Sequence, residues 1–223
     1  MVIQGVIFDL DGTLIQSLPD IAASMNRTLE AYHLPVHPLE AYNTMVGNGA
    51  WTLACRAVGA RQDLTEAVYK AYRADYAAHT CVLSHPYDGI MDLLHALNRM
   101  RMPVTVFSNK DHDDVLSVIR HYFPDIGFAL LRGRQEGIPL KPAPDGALLI
   151  ARTLGIFPCR TLYVGDTGTD MDCGNRAGMV TVGVTWGFRS REELKEHRAC
   201  HIIDKPGELL ALIDASGDSA APR

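Results

Sequence analysis

Short apolar runs alternate with amphipathic stretches through most of this chain. Val2–Phe8 is rich in β-branched residues, the pattern of a strand buried on both faces. The same texture returns at Pro103–Phe107, Phe128–Leu131, Thr161–Val164, Thr181–Val184 and His201–Ile203. Between these runs, apolar residues recur at helical spacing. Ile90, Leu93, Leu94 and Leu97 follow an opening at Pro86–Gly89, and Val115, Val118, Ile119 and Tyr122 mark the next helix. Leu148, Leu149, Ala151 and Leu154 mark another, and Asp170–Ala177 and Glu208–Ile213 read as two more. Strand and helix in alternation predict a parallel sheet with helices on both faces.

One block breaks the alternation. Ser17 and Pro19 are helix-start residues, and Ile21, Met25, Leu29 and Tyr32 follow at near-helical spacing until Pro35 and Pro38. MVGNGA (45–50) is a glycine-marked loop, and Leu53, Ala54, Ala57 and Val58 form a stripe that Gly59 ends. Asp63 and Glu66 make a capping-box pattern before Val68, Tyr72 and Tyr76. Residues 15–80 thus predict helices and no strand. The chain divides into an α/β core (residues 1–14 and 84–215), an all-helical cap inserted after the first strand (15–83) and a disordered tail (216–223).

Composition narrows the function. At 223 residues and 47% hydrophobic, the chain should bury roughly 70% of its unfolded surface. The net charge is −5 and no basic block stands out, so neither a nucleic acid nor an anionic membrane is an expected partner. Five scattered cysteines without CxxC spacing predict buried thiols rather than disulfides or a zinc ribbon. The nine histidines form no HExxH or other metal spacing. The N-terminus lacks the pattern of a signal peptide, and no run approaches the ~20 apolar residues of a membrane span. A cytoplasmic enzyme is the expectation, a monomer or homodimer.

The chemistry gathers just beyond the apolar runs, where open α/β sheets bind their ligands. The first run ends in FDLDGTL (8–14), two carboxylates one residue apart, which would repel and raise each other's proton affinity. Asp9, Asp11 and Thr13 follow the first strand, and Ser108, Asn109 and Lys110 the second. Lys141 follows the third, and Asp166, Thr167 and Asp170 the fourth. Clustered carboxylates suit a hard cation such as Mg²⁺, while a lysine and a hydroxyl aimed at one point suit phosphate oxygens. One carboxylate could attack phosphorus, and a second could protonate the leaving alkoxide and then activate water. The parts point to phosphoryl transfer.

FDLDGTL (8–14), FSN (107–109), KPAP (141–144) and GDTGTD (165–170) resemble, in order, the four signature motifs of the haloacid dehalogenase-like hydrolases. The resemblance spans nearly the whole chain. It implies a Rossmann-like core, Mg²⁺ as cofactor and a small phosphorylated metabolite as substrate. By position it implies Asp9 as nucleophile and metal ligand, and Asp11 as acid/base with its backbone carbonyl on the metal. Asp166 would be the remaining metal ligand, and Asp170 would orient metal waters or Lys141. Thr13, Ser108, Asn109 and Lys141 would bind substrate phosphate. An aspartate at position 11 also sets the chain apart from true dehalogenases.

Within that family, SLPDIAASMN (17–26), MVGNGA, SNK (108–110) and VTWGFR (184–189) are similar to stretches of phosphoglycolate phosphatases. Gln16 departs from them, standing where an acidic residue is usual. A phosphatase of a small phosphomonoester, with 2-phosphoglycolate leading, is the reading; a phosphomutase of the β-phosphoglucomutase type, a pyrophosphatase and a non-catalytic binding module are its rivals. Asn48 and Lys110 read equally as substrate contacts or as loop and surface residues, and Trp186 and Arg189 as packing and surface.

Overall fold

The computed structural model describes residues 2–218. The first strand, β1 (Gly5–Phe8), is shorter than the apolar run that predicts it. Ile3 and Gln4 lie outside the ladder, their N–H groups donating to Ser216 Oγ (3.1 Å) and the Arg160 carbonyl (2.8 Å). After a tight turn come β2 (Ile15–Gln16) and the helices α1 (Leu18–Ala31), α2 (Tyr42–Met45), α3 (Ala50–Ala57) and α4 (Thr65–His79). The chain returns through β3 (His85–Pro86), which pairs antiparallel with β2, Ile15 opposite Pro86 and Gln16 opposite His85. The strand-free reading of 15–80 is corrected here: two residues are too few for a period-2 pattern to register.

The capping box at Asp63 and Glu66 does not form. Arg61 holds the Asp63 carboxylate at 2.8 Å, and Glu66 pairs with Lys70 at 2.6 Å, so opposite charges within a turn take both side chains. Beyond β3 the alternation holds: α5 (Ile90–Arg99), β4 (Val104–Asp111), α6 (His112–Tyr122), β5 (Leu130–Arg134), α7 (Asp145–Leu154), β6 (Thr161–Gly165), α8 (Gly168–Arg176) and β7 (Val180–Val184). There follow α9 (Arg191–Glu196), β8 (His201–Ile203) and α10 (Glu208–Asp218).

Strand β5 begins later than the apolar run suggests and ends in charged residues, as an edge strand tolerates. Helix α9 escapes the apolar pattern because it buries only Leu194; Ser190 caps it, Oγ accepting from the Glu193 N–H. Helix α10 runs into the expected tail as far as Asp218, and residues 219–223 of that tail lie outside the described residues.

The main sheet is fully parallel, in the order β5-β4-β1-β6-β7-β8. Alternation along each strand splits its side chains between two cores. Val6, Phe8, Val106 and Val164 pack with α5, α6 and α10 on one face; Ile7, Phe107 and Tyr163 meet Ala147, Ile150 and Cys173 of α7 and α8 on the other. A third cluster, including Met25, Leu29, Tyr42, Leu53 and Tyr72, belongs to α1–α4. Because β1 is flanked by β4 and β6, the crossovers leave it in opposite directions, and a crevice opens at its carboxyl end. That is where Asp9 stands.

The helical block is pinned where it joins the sheet. Asp20, in the first turn of α1 and buried, accepts from the N–H groups of Val82 (3.1 Å), Leu83 (2.8 Å) and Ser84 (2.9 Å) and from Ser84 Oγ. One carboxylate thereby ties the start of α1 to the segment that returns to the sheet. Asp20→Ala should strand these donors and destabilise the fold by about 1–3 kcal/mol, seen as a lower urea midpoint with an unchanged slope.

Candidate active site

Asp9 follows β1, and Asp166 and Asp170 follow β6, the neighbouring strand. One carboxylate oxygen from each lies within 4.8 Å of the other two, and all three residues are buried. Two glycines allow the crowding. A Cβ on Gly187 would lie 2.2 Å from the Asp166 Cβ, and one on Gly12, whose φ is +85°, would lie 2.3 Å from Asp166 Oδ2. The Asp166 carboxylate is fixed from two sides, accepting from Thr13 Oγ1 (3.0 Å) and from the Phe188 N–H (2.8 Å). Thr13, expected on the substrate, spends its hydroxyl on this carboxylate.

Lys141 enters the cluster from the loop after β5. Its Nζ lies 2.7 Å from Asp170 Oδ1 and 2.8 Å from Asp9 Oδ1. The second approach is an ion pair outside hydrogen-bonding geometry, and Asp9 Oδ1 is a buried oxygen without a hydrogen bond. Asp170 is fully engaged: its other oxygen accepts from the Thr167 N–H (3.1 Å) and Oγ1 (2.7 Å) and closes a capping box on α8. Cap and ion-pair partner are thus one residue. Asn109 holds the Lys141 backbone at both ends, accepting from its N–H (2.8 Å) and donating to its carbonyl (3.2 Å).

Ser108, Asn109 and Lys110 lie within β4 itself, which runs on to Asp111. Ser108 is buried and lines the same cleft as Asp9 and Asp11. Lys110 Nζ grips both oxygens of Asp11, at 2.7 and 3.0 Å. The structure therefore brings Asp9, Asp11, Ser108, Lys141, Asp166 and Asp170 together at one end of the sheet. Gln16 does not join them; it is paired in the β2–β3 ribbon.

Electrostatics follow from the burial. Removal from water pushes the Asp9 carboxyl up to about 7; Lys141 pulls against this, and Asp170 and Asp11 add to it. Burial, with Asp170 and Asp9 adding, pushes Asp166 well above the usual carboxylate range. Burial works against the ammonium of Lys141, but Asp170 and Asp9 outweigh it and hold the group charged. Asp11 and the Tyr76 phenol do the same for Lys110. With all four carboxyl groups ionised, the two ammonium groups would leave two negative charges over, and this crowding adds to the burial that raises Asp9 and Asp166. The oxygen-only donor set and the orphaned Asp9 oxygen fit a divalent hard cation such as Mg²⁺.

The helical block closes the cleft, with Ile21, Leu53, Tyr72 and Tyr76 facing the sheet end. Core side chains reach its loop: Asn109 Nδ2 donates to the Gly47 carbonyl (3.0 Å) and Arg189 Nη2 to the Val46 carbonyl (3.0 Å). Asn48 donates to Thr169 Oγ1 at 3.3 Å, so its amide is engaged with the core. The segment 185–189 builds more of the site than its sequence announces. Trp186 Nε1 donates to the Thr13 carbonyl (3.0 Å), Phe188 holds Asp166 and Arg189 holds the block. Its one prior signal was the WGFR stretch directly after a strand.

The haloacid dehalogenase-like hydrolase family model matches residues 6–184. The chain belongs to that family and is a hydrolase. It is 32% identical over 215 residues to the phosphoglycolate phosphatase of Haemophilus influenzae, covering 92% of this chain and 96% of that one. It is also 32% identical over 222 residues to the N-acetylmuramic acid 6-phosphate phosphatase of Pseudomonas aeruginosa, covering 96% of each. A crystal structure from Haemophilus somnus, titled a predicted phosphoglycolate phosphatase, superposes with a TM-score of 0.88 at 28% identity, covering 94% of this chain and 97% of that one.

The tight seat of Asp166 is testable by stability alone. Gly187→Ala should destabilise by about 1–3 kcal/mol, because the new methyl overlaps the Asp166 side chain. Gly207→Ala, which meets nothing within 4 Å, should stay within about 0.5 kcal/mol of the parent protein in the same thermal or urea melt.

Proposed function

We propose that this hydrolase is a Mg²⁺-dependent phosphatase of a small phosphomonoester, working through a phospho-aspartate at Asp9. The observation that carries the reading is the unbalanced negative charge beside a buried lysine and serine at the crevice of β1. Asp9 and Asp166 would hold the cation with their carboxylates, and Asp11 with its backbone carbonyl; Asp170 is committed to Lys141 and the α8 cap. When bound, Mg²⁺ supplies charge neutralisation to the transferring phosphoryl group.

The chain's own residues account for the rest. Ser108 and Lys141 hold the phosphate oxygens, and Lys141 stabilises the charge that spreads over them in transfer. Asp9 attacks phosphorus; the bond to the ester oxygen breaks, its electron pair stays on that oxygen, and Asp11 supplies the proton. Water then attacks phosphorus, Asp11 takes its proton and the Asp9–phosphorus bond breaks. The helical block excludes bulk water during the first half and selects the leaving group.

The likeness to the H. influenzae phosphatase makes 2-phosphoglycolate the leading substrate, and the equal identity to the P. aeruginosa enzyme makes N-acetylmuramate 6-phosphate the second reading. No helix of the described residues is long and apolar enough to cross a membrane, and a cytoplasmic enzyme acting alone or as a homodimer fits the reading.

Asp9→Asn should abolish phosphate release while leaving the protein folded and no less stable, since it removes one of the crowded charges; retained turnover with Mg²⁺ would refute the nucleophile. Chelation by EDTA should silence the wild-type enzyme and Mg²⁺ restore it. Saturating Mg²⁺ should also raise the melting temperature, by an increment that grows with the logarithm of its concentration. No thermal response, with full activity in chelator, would remove the metal from the mechanism. A phosphate-release assay on both candidate substrates, pyrophosphate and a hexose 1-phosphate separates the substrate readings and their rivals.

A further inference from the structure

Lys110 touches both Asp11, beyond β1, and helix α4 of the helical block. Below, its ammonium grips both oxygens of Asp11; above, it sits 4.7 Å from the ring centroid of Tyr76 on α4. That distance is within cation–π range, and the side chain is only 6% exposed, so water competes little for either contact. One turn earlier on the same face of α4, Arg73 pairs at 2.6 Å with Asp111, the next residue of β4. Helix α4 thus meets the end of β4 at two successive residues. The Asp11 backbone lies in the turn that enters the helical block, where the Gly12 N–H donates to the Ile15 carbonyl (2.8 Å).

We propose that Lys110 is a positioning residue for Asp11, held in register by the Tyr76 ring, so that the acid/base carboxylate is aimed only while α4 lies on the sheet. This rests on the phosphatase reading and deepens it. A two-point grip on a carboxylate fixes its rotamer, and a lysine has flexible torsions of its own unless something seats it. Tyr76 is that seat. With α4 lifted away, the ion pair would be open to water and would constrain Asp11 weakly. Proton donation to the leaving oxygen is then confined to the closed cleft.

The test separates steps that need Asp11 from those that do not. An alkyl phosphomonoester needs a proton on its leaving oxygen as the P–O bond breaks. p-Nitrophenyl phosphate does not, because p-nitrophenolate leaves unprotonated. With Mg²⁺ present, Lys110→Met should slow the first turnover of 2-phosphoglycolate, or of whichever alkyl ester the wild type hydrolyses, by on the order of 10²-fold. The first-turnover burst of p-nitrophenolate should survive at near the wild-type rate, followed by slowed steady-state release, because water activation still needs Asp11. Tyr76→Leu should show the same split, and Tyr76→Phe, which keeps the ring but loses the phenol oxygen, a smaller one; this pair carries the test if Lys110→Met fails to fold. Equal slowing of both first turnovers in Lys110→Met and Tyr76→Leu, or of neither, would overturn the proposal. A wild type inert toward both esters would overturn the parent reading, a failure visible before any variant is made.

Discussion

Three buried carboxylates within 4.8 Å of one another are an expensive arrangement, and the surroundings of β1 are organised to tolerate it. Burying charge without compensation costs several kcal/mol per ion. The compensation here is partial and directional. Lys141 is shared between Asp170 and Asp9; Thr13 and the Phe188 N–H fix Asp166 and help to solvate it. The lone Asp9 oxygen is left without a hydrogen bond. A sequence selected for stability alone would place apolar side chains at such positions. On the proposed reading, a cation and the phosphate it would bind supply the compensation that the protein alone does not.

That constraint reaches outward through glycine. Asp166 can occupy its place only because Gly12 and Gly187 present no Cβ, and the segment carrying Gly187 also donates Phe188 and Trp186 to the site. The loop after β7 is therefore part of the floor beneath the Asp166 carboxylate. The same loop ends in Arg189, which reaches the Val46 carbonyl of the helical block. Floor and roof are tied through one five-residue stretch.

How much of this was legible in the sequence depends on the range of the interaction. Buried strands announce themselves because both faces are apolar, so β6, β7 and β8 sit where the hydrophobic runs put them, while β4 starts with its run but continues through polar residues to Asp111. Edge strand β5 and the single-sided helix α9 were displaced or missed, since each buries too little for periodicity to show. The β2–β3 ribbon joins segments about seventy residues apart with two residues each, and no local pattern can report that. Nothing in the sequence singled out Asp20, whose partners include three N–H groups some sixty residues on. Lys110 read as a coin-toss between surface and site; its commitment to Asp11 and Tyr76 exists only in three dimensions.

The position of Lys110 also bears on why the proposed acid/base residue, Asp11, should sit in a turn rather than on a strand. Asp9, just past the end of β1, has the rigidity of the sheet behind it, which would suit the proposed nucleophile's in-line approach to phosphorus. Asp11 lies two residues further, in the turn leading to the ribbon, where its backbone belongs to the connection with the helical block. A residue so placed inherits the mobility of the connection unless its side chain is held separately. Lys110 supplies that hold from β4, and Tyr76 makes the hold depend on α4. On the proposed reading, rigidity would thus be given to the nucleophile unconditionally and to the acid/base conditionally, on the position of the helices that would also keep water out.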